Sequence, residues 1–232
     1  MPIPVRGRQQ HIRATDRPDP RSINARTADS LSAEDRRYPG WQQFAHVTAI
    51  VIAWVIIAFL RLAEPGSNDR TLVIHGIYDE LGHLLTALML AIGFRALRLP
   101  IPIWTVLLGG MVLDAGHILN LLDYTEPISI STRNGTHSVF AVIVLALIGF
   151  LDRRHANVWL GITLGAISHL WRDMGTGLVP LAWPVNHQVW GTSFARYMVG
   201  LVGVALAMVG SGALLDVSTH ASRQGNEVDT SK

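Results

Sequence analysis

The chain has 232 residues, of which 49% are apolar and 16% are charged, and its mean hydropathy is +0.30. This profile is typical of a polytopic membrane protein and argues against a soluble globular domain. The chain contains no cysteine, which excludes disulfides and thiolate metal ligands. The pI of about 9.4 comes from arginines in a tail and between apolar segments, and it indicates control of membrane topology rather than binding of nucleic acid.

Both ends of the chain are polar and lack apolar periodicity. Residues 1–40 are rich in Arg, Asp, Pro and Ser, which predicts a disordered tail rather than a signal peptide. Residues 217–232 predict a second disordered tail. We predict that residues 41–216, between the two tails, form a transmembrane domain and that the functional site lies in this domain.

Six apolar segments lie between the tails, and most approach the roughly 20 residues needed to cross a bilayer. They cover residues 44–62, 77–97, 101–122, 136–151, 156–174 and 194–215. The fourth is the shortest, so a full crossing and a re-entrant segment both stay open for it. We therefore predict an all-α, polytopic membrane protein with about six transmembrane helices.

Arginine clusters set the predicted orientation of these segments. The clusters at 36–37, 95–98 and 153–154 fall on one side of the membrane if all six segments span it. Cytoplasmic loops are enriched in Lys and Arg, so this side is the predicted cytoplasmic side of the inner (plasma) membrane. Both termini are then cytoplasmic, and the lipid bilayer is the expected partner.

On this topology, histidines and carboxylates gather in the outer halves of four segments. They are Asp79, Glu80 and His83 in the second, Asp114 and His117 in the third, His137 in the fourth, and His169 and Asp173 in the fifth. At about 1.5 Å of rise per residue, all lie within roughly the outer 12 Å of their helices. Ionisable side chains inside a membrane are costly, and their shared depth predicts one functional site.

The spacing of these residues favours a divalent metal ion. Asp114 and His117 are three residues apart, and His169 and Asp173 are four apart, so each pair shares one helix face. Imidazole and carboxylate ligands suit Zn²⁺ above all, with Mn²⁺ and Fe²⁺ as alternatives. The predicted metal ligands are His83, Asp114, His117, His137, His169 and Asp173. Six ligands exceed one tetrahedral site, which leaves open a second metal or a supporting role for some of them.

Four further polar residues are candidates for the chemistry of a metal-dependent hydrolase. Asp79 or Glu80 is the candidate general base, one helical turn before His83. Arg133 and Arg172 flank the site and suit an anionic group such as a phosphate or carboxylate. The depth of the site predicts an amphiphilic or lipid-linked ester or phosphoester as substrate.

Two other functions fit the same pattern. Intramembrane histidines and carboxylates also line the paths of proton or metal-ion transporters. A non-catalytic protein with a hydrogen-bonded polar core is the second alternative. A transport path should continue across the membrane, whereas these residues lie on one side.

The motifs in order resemble a known family. They are D-x-x-H at 114–117, R-x-x-T-H-S at 133–138 and H-L-x-x-D-x-x-T-G-x-x-P-L-x-W-P at 169–184. Together they resemble the YdjM-like, membrane-bound, metal-dependent hydrolases of bacterial inner membranes. The resemblance implies a multi-span helical protein and a metal-site role for the six ligands named above. Gly116 and Thr132 stand where that family has an acidic residue and a histidine.

Overall fold

The computed structural model describes residues 39–63, 72–114 and 136–229. The chain in these ranges forms six α-helices, and the described residues from Gln43 onward belong to one compact unit. The helices are α1 (Pro39–Ala63), α2 (Leu72–Ala96), α3 (Ile103–Val112), α4 (Val139–Leu151), α5 (Ala156–Thr176) and α6 (Phe194–Asp229). The prediction of an all-α fold is confirmed.

Three of these helices are long and apolar enough to cross a membrane, over Trp41–Ala63, Ile74–Ala96 and Phe194–Thr219. Helices α3 and α4 are apolar but shorter, with 10 and 13 residues. Thirteen residues rise only about 20 Å, which is less than the roughly 30 Å of a bilayer core. Helix α5 has 21 residues, but polar side chains in its second half lower its hydropathy. Those polar residues are the ones that the candidate site uses.

The last helix is longer than the apolar segment that predicted it. Helix α6 continues to Asp229, through most of the segment 217–232 that was predicted as a disordered tail. No proline interrupts this polar continuation, so nothing in it blocks helix formation. Asp216, at its start, pairs with Arg98 in the turn after α2. The predicted tail 1–40 lies outside the described residues except for Pro39 and Gly40, which begin α1.

The main apolar core joins α1, α2 and α6. Ile50 and Ile57 of α1 pack with Met89 of α2 and Leu201 of α6, and all four are fully or almost fully buried. The indole Nε1 of Trp54 donates to the backbone oxygen of Met198 at 3.1 Å. These contacts hold the three longest apolar helices together, and α2 also contributes to the site together with α3, α4 and α5.

Helices α3 and α5 approach each other closely through glycines. A Cβ atom at Gly165 would lie 2.7 Å from the backbone nitrogen of Gly110, and one at Gly109 would overlap the backbone of Ile162. A Cβ atom at Gly161 would overlap the side chain of Thr105. Small residues at a helix interface allow the backbones to come this close. The contact brings the second half of α5 beside the end of α3.

The loop after α5 folds back over the ends of α4 and α5. Val179 and Trp190 pair through their backbones at 2.8 Å. The backbone N–H of Val139, the first residue of α4, donates to the oxygen of Leu181 at 3.0 Å. The loop therefore fixes the beginning of α4 next to the end of α5.

A polar junction connects α4 to α5 at the opposite end. The indole Nε1 of Trp159 donates to the carboxylate of Asp152 at 3.1 Å, and His155 Nδ1 lies 3.0 Å from the same oxygen. The hydrogen bond from Trp159 and then that from His155 hold the pKa of Asp152 below its usual range. The two helices thus meet at both ends, and they enclose a space between them.

Candidate metal centre

Three histidine rings from distant parts of the chain meet in the interior. His83 of α2 stacks on His169 of α5, with ring centroids 3.8 Å apart and planes 13° apart. His137, just before α4, meets His169 edge-on at 5.1 Å. All three side chains are almost completely removed from the surface. Burying three imidazole rings costs free energy unless their nitrogens share a hydrogen-bond partner or a cation.

The hydrogen bond of His169 shows which of its ring nitrogens is free. Nδ1 lies 2.8 Å from the backbone oxygen of Gly110, and since a carbonyl oxygen only accepts, Nδ1 carries the proton and donates it. In the neutral ring, Nε2 then carries a lone pair. Metal-binding histidines typically donate their other N–H to a carbonyl or carboxylate in this way. The hydrogen bond therefore leaves Nε2 of His169 available to accept a proton or a cation.

Asp173 lies at the centre of the histidines. Its Oδ2 is 3.2 Å from Nε2 of His169 and 3.5 Å from Nε2 of His137, and its Oδ1 is 3.3 Å from Nε2 of His83. A carboxylate oxygen and a nitrogen lone pair repel each other at this separation unless a proton or metal ion lies between them. The centre of the cluster has the ligand atoms and the spacing to hold a proton or a metal ion.

Asp114 closes the cluster from the end of α3. Its Oδ1 is 3.0 Å from Nε2 of His137, within hydrogen-bonding distance, and its Oδ2 is 3.6 Å from Nε2 of His169. His137 is also held on its other side, where Nδ1 lies 2.9 Å from the hydroxyl of Thr136. Asp114 and Asp173 thus approach the histidines from two different helices.

Two overlapping sets of ligand atoms can hold a metal ion. The first set is His83, His169 and Asp173, and the second is Asp114, His137 and His169; within each set the ligand atoms lie within 4.8 Å of one another. Three nitrogens and two carboxylates suit Zn²⁺, Mn²⁺ or Fe²⁺. Nε2 of His83, Nε2 of His169 and Oδ2 of Asp173 are buried, and none makes a hydrogen bond within the described residues. These unpaired atoms fit a cation.

The family model for the YdjM inner membrane protein matches residues 79–228. The chain belongs to the YdjM inner membrane protein family. The matched range contains the five clustered residues, so the resemblance predicted from the motifs is confirmed. No curated protein and no solved structure matches this chain. Family membership and the apolar helices together make it a membrane protein.

The other predicted site residues of this YdjM family member fall into two groups. His117 and Arg133 lie between residues 115 and 135, outside the described residues, as do the departures at Gly116 and Thr132. Asp79, Glu80 and Arg172 are described, and all three lie beside the cluster. The sequence predicted roles for these three residues but not their partners.

Arg172 and Asp79 pair with each other. Arg172 Nη2 donates to Asp79 Oδ1 at 3.1 Å, and Asp79 Oδ2 lies 3.7 Å from Nε2 of His83. Arg172 is 5% exposed, and its Nε makes no hydrogen bond to any described residue. The prediction that Arg172 flanks the site fits this position, but its guanidinium is already engaged with the carboxylate that sequence suggested as a base.

Glu80 lies on the other side of the cluster. It is half-buried, and the carboxyl group of Asp114 is close enough to act on it electrostatically. Two neighbouring carboxyl groups repel each other unless one of them carries a proton. Oε2 of Glu80 is buried and has no hydrogen-bond partner among the described residues.

Two residues near the cluster were missed by sequence reasoning. The carbonyl of Gly110 orients His169, and Gly82 makes room for the guanidinium of Arg172. A Cβ atom at Gly82 would overlap the guanidinium carbon. The pair Gly109–Gly110 inside an apolar helix was a usable signal, because such glycines mark close helix contacts.

Proposed function

We propose that this protein is a membrane-embedded, divalent-metal-dependent hydrolase that acts on an amphiphilic or lipid-linked ester or phosphoester. The buried cluster of three histidines and two aspartates, with its unpaired ligand atoms, is the observation that carries the proposal. Zn²⁺ is the metal that this ligand set favours, and Mn²⁺ and Fe²⁺ are the alternatives.

The unpaired atoms favour a metal ion over a structural polar core. Buried polar groups in native proteins are almost always hydrogen-bonded, and each one left unpaired costs about 1–3 kcal/mol. The cluster has unpaired ligand atoms on three residues, His83, His169 and Asp173. A core that served stability alone would satisfy these atoms, whereas a metal site keeps them for the ion.

The five clustered residues hold the ion in this proposal, and two of the histidines are oriented through their other ring nitrogen. Gly110 orients His169 and Thr136 orients His137. A bound divalent ion would supply Lewis-acid polarisation of the scissile group and acidify a bound water. Because these side chains are already fixed in place, they would not have to rearrange when charge develops in the transition state.

Glu80 is the general base that the geometry favours over Asp79. Its Oε2 has no partner among the described residues and can accept the proton of the attacking water. Asp79 is occupied by Arg172 and lies 3.7 Å from Nε2 of His83, so we assign it an electrostatic role beside His83. The unpaired Nε of Arg172 is the proposed donor to an anionic group of the substrate. Arg133 lies outside the described residues, and contact between Arg133 and an anionic group of the substrate stays a prediction.

We also propose that the protein is multi-pass, with the site toward the outer face and both termini in the cytoplasm. The support is the distribution of arginines in the sequence. A site near the outer leaflet would meet the ester or phosphate group of a lipid at headgroup depth. An amphiphilic substrate follows from that position.

The test is hydrolysis by the purified, metal-loaded protein in liposomes, with carboxylic-ester and phosphoester lipids as two substrate classes. Glu80→Gln should keep the metal and lose about 10²–10⁴-fold in turnover, because Gln cannot accept the proton. Asp152→Asn, at the exposed junction between α4 and α5, is the control and should retain full turnover. Wild-type turnover by Glu80→Gln contradicts its role, and metal-loaded wild type that hydrolyses neither class contradicts the hydrolase proposal.

A further inference from the structure

An apolar cavity of about 450 Å³ lies between α4, α5 and the loop that follows α5. Val139 and Val142 of α4 form one wall, and Leu181 of the loop forms the edge. The other wall is a stripe of α5 at helical spacing, formed by Ile167, Leu170, Trp171 and Met174. The lining is almost entirely hydrocarbon, and no charged side chain contributes to it.

The cavity is built on the same elements as the histidine–aspartate cluster. Leu170 and Met174 directly follow the ligands His169 and Asp173, which places them about 100° around the helix from those ligands. Val139 follows His137 by two residues, and its N–H is bonded to Leu181. The apolar cavity and the polar cluster therefore occupy neighbouring faces at the same end of α5.

The position of the cavity in a membrane protein identifies its occupant. Ile167 and Val139 are 44% and 47% exposed, so the cavity opens at the helix surface, where a bilayer would surround α4 and α5. Its volume is in the range of ligand pockets, and its lining matches hydrocarbon. A molecule with its tail here would have its polar end toward the cluster, and only an amphiphile has both parts.

We propose that this cavity binds one hydrocarbon chain of the substrate, entering sideways from the bilayer. The proposal rests on the proposed hydrolase function for the identity of the reacting group. It names the substrate class more closely, as a lipid with a long acyl or prenyl chain. The cavity then selects for chain length, while the cluster selects for the ester or phosphoester.

The test compares two valines of α4 that lie two residues apart. Val142 lines the cavity, whereas Val144 lies outside its lining and is exposed. Val142→Trp fills the cavity with an indole, and Val144→Trp places the same group on the exposed surface. Ile167→Trp fills the cavity from the α5 wall, so the test does not depend on one variant.

The probe is phosphatidylglycerol with a diazirine in its acyl chain, present in nanodiscs that contain the full-length protein. After photolysis, mass spectrometry should find label on wild-type peptides that cover 139–142 and 167–174. Val142→Trp and Ile167→Trp should lower this labelling several-fold, and Val144→Trp should leave it unchanged. Label spread evenly over exposed α4 residues such as Leu147, or unaffected by the filling variants, would show ordinary surrounding lipid and overturn the proposal. If the wild-type cavity peptides carry no label, the cavity does not bind the acyl chain, and this result would also overturn the proposal.

This experiment is independent of metal and of turnover, so its failure is distinguishable from failure of the hydrolase proposal. Metal content measured on each tryptophan variant shows that the cluster is intact. Where hydrolysis is found, Val142→Trp should raise KM for long-chain esters and leave short-chain esters unchanged. An equal effect on both chain lengths would contradict a chain-binding cavity even in an active enzyme.

Discussion

Gly165→Ala adds one methyl group at a close backbone contact between α3 and α5. The new Cβ would overlap the backbone oxygen of Val106 and lie 2.7 Å from the backbone nitrogen of Gly110, whereas ordinary contact begins near 3.4 Å. The two helices must therefore separate by more than about 0.7 Å at this point. The atoms in the way are backbone, so no side-chain rotation can relieve the overlap.

This separation acts on the hydrogen bond that orients His169. The distance from His169 Nδ1 to the oxygen of Gly110 is 2.8 Å, and the same shift would stretch it to about 3.5 Å, beyond the usual range. Loss of such an orienting contact typically costs about 10- to 100-fold in metal affinity. Overpacking of the helix contact should also cost about 1–3 kcal/mol of stability.

Metal affinity is measured by chelator competition on detergent-purified protein, and stability by thermal unfolding of the same sample. Gly203→Ala is the control, because a Cβ there meets no atom within 4 Å. Alanine favours a helix over glycine at both positions by about 1 kcal/mol, so the control also calibrates this gain. Metal affinity and stability equal to those of Gly203→Ala would refute the argument from close packing.

Two further predictions concern the contacts of the cluster and the orientation of the chain. Gly82→Ala should push the guanidinium of Arg172 away from Asp79 and lower metal affinity about tenfold, and chelator competition would show it; unchanged affinity would mean that this ion pair does not orient the ligands. Because the chain has no native cysteine, His187→Cys and Arg154→Cys can be labelled singly in intact cells with a membrane-impermeant maleimide. His187→Cys should react and Arg154→Cys should not; the reverse result would invert the proposed topology.

The helices could be predicted from sequence because apolar runs bounded by charge, Gly and Pro act locally. The segment 156–174 predicted α5 to within two residues of its end. The end of α6 could not be predicted from hydropathy, because a helix can continue through polar residues that no bilayer or core requires. Hydropathy locates what is buried, and it does not locate the last helical turn.

The site was predictable in its composition and less so in its contacts. The spacing of His169 and Asp173 follows from one helix, so their shared face could be read from the sequence. Arg172 and Asp79 are 93 residues apart in the sequence and lie on two different helices, and no local pattern encodes which carboxylate an arginine will meet. The role of Gly110 depends likewise on how closely α3 and α5 pack.

The central claim is that the buried cluster holds a metal ion, and elemental mass spectrometry of detergent-purified, tag-free protein tests it most directly. Wild type should contain about one or two equivalents of zinc, manganese or iron, given the two overlapping ligand sets. His169→Ala and Asp173→Ala should lose the metal, and His155→Ala, at the exposed junction, should keep it. No metal in folded wild type, even after reconstitution with each of the three ions, would contradict the account.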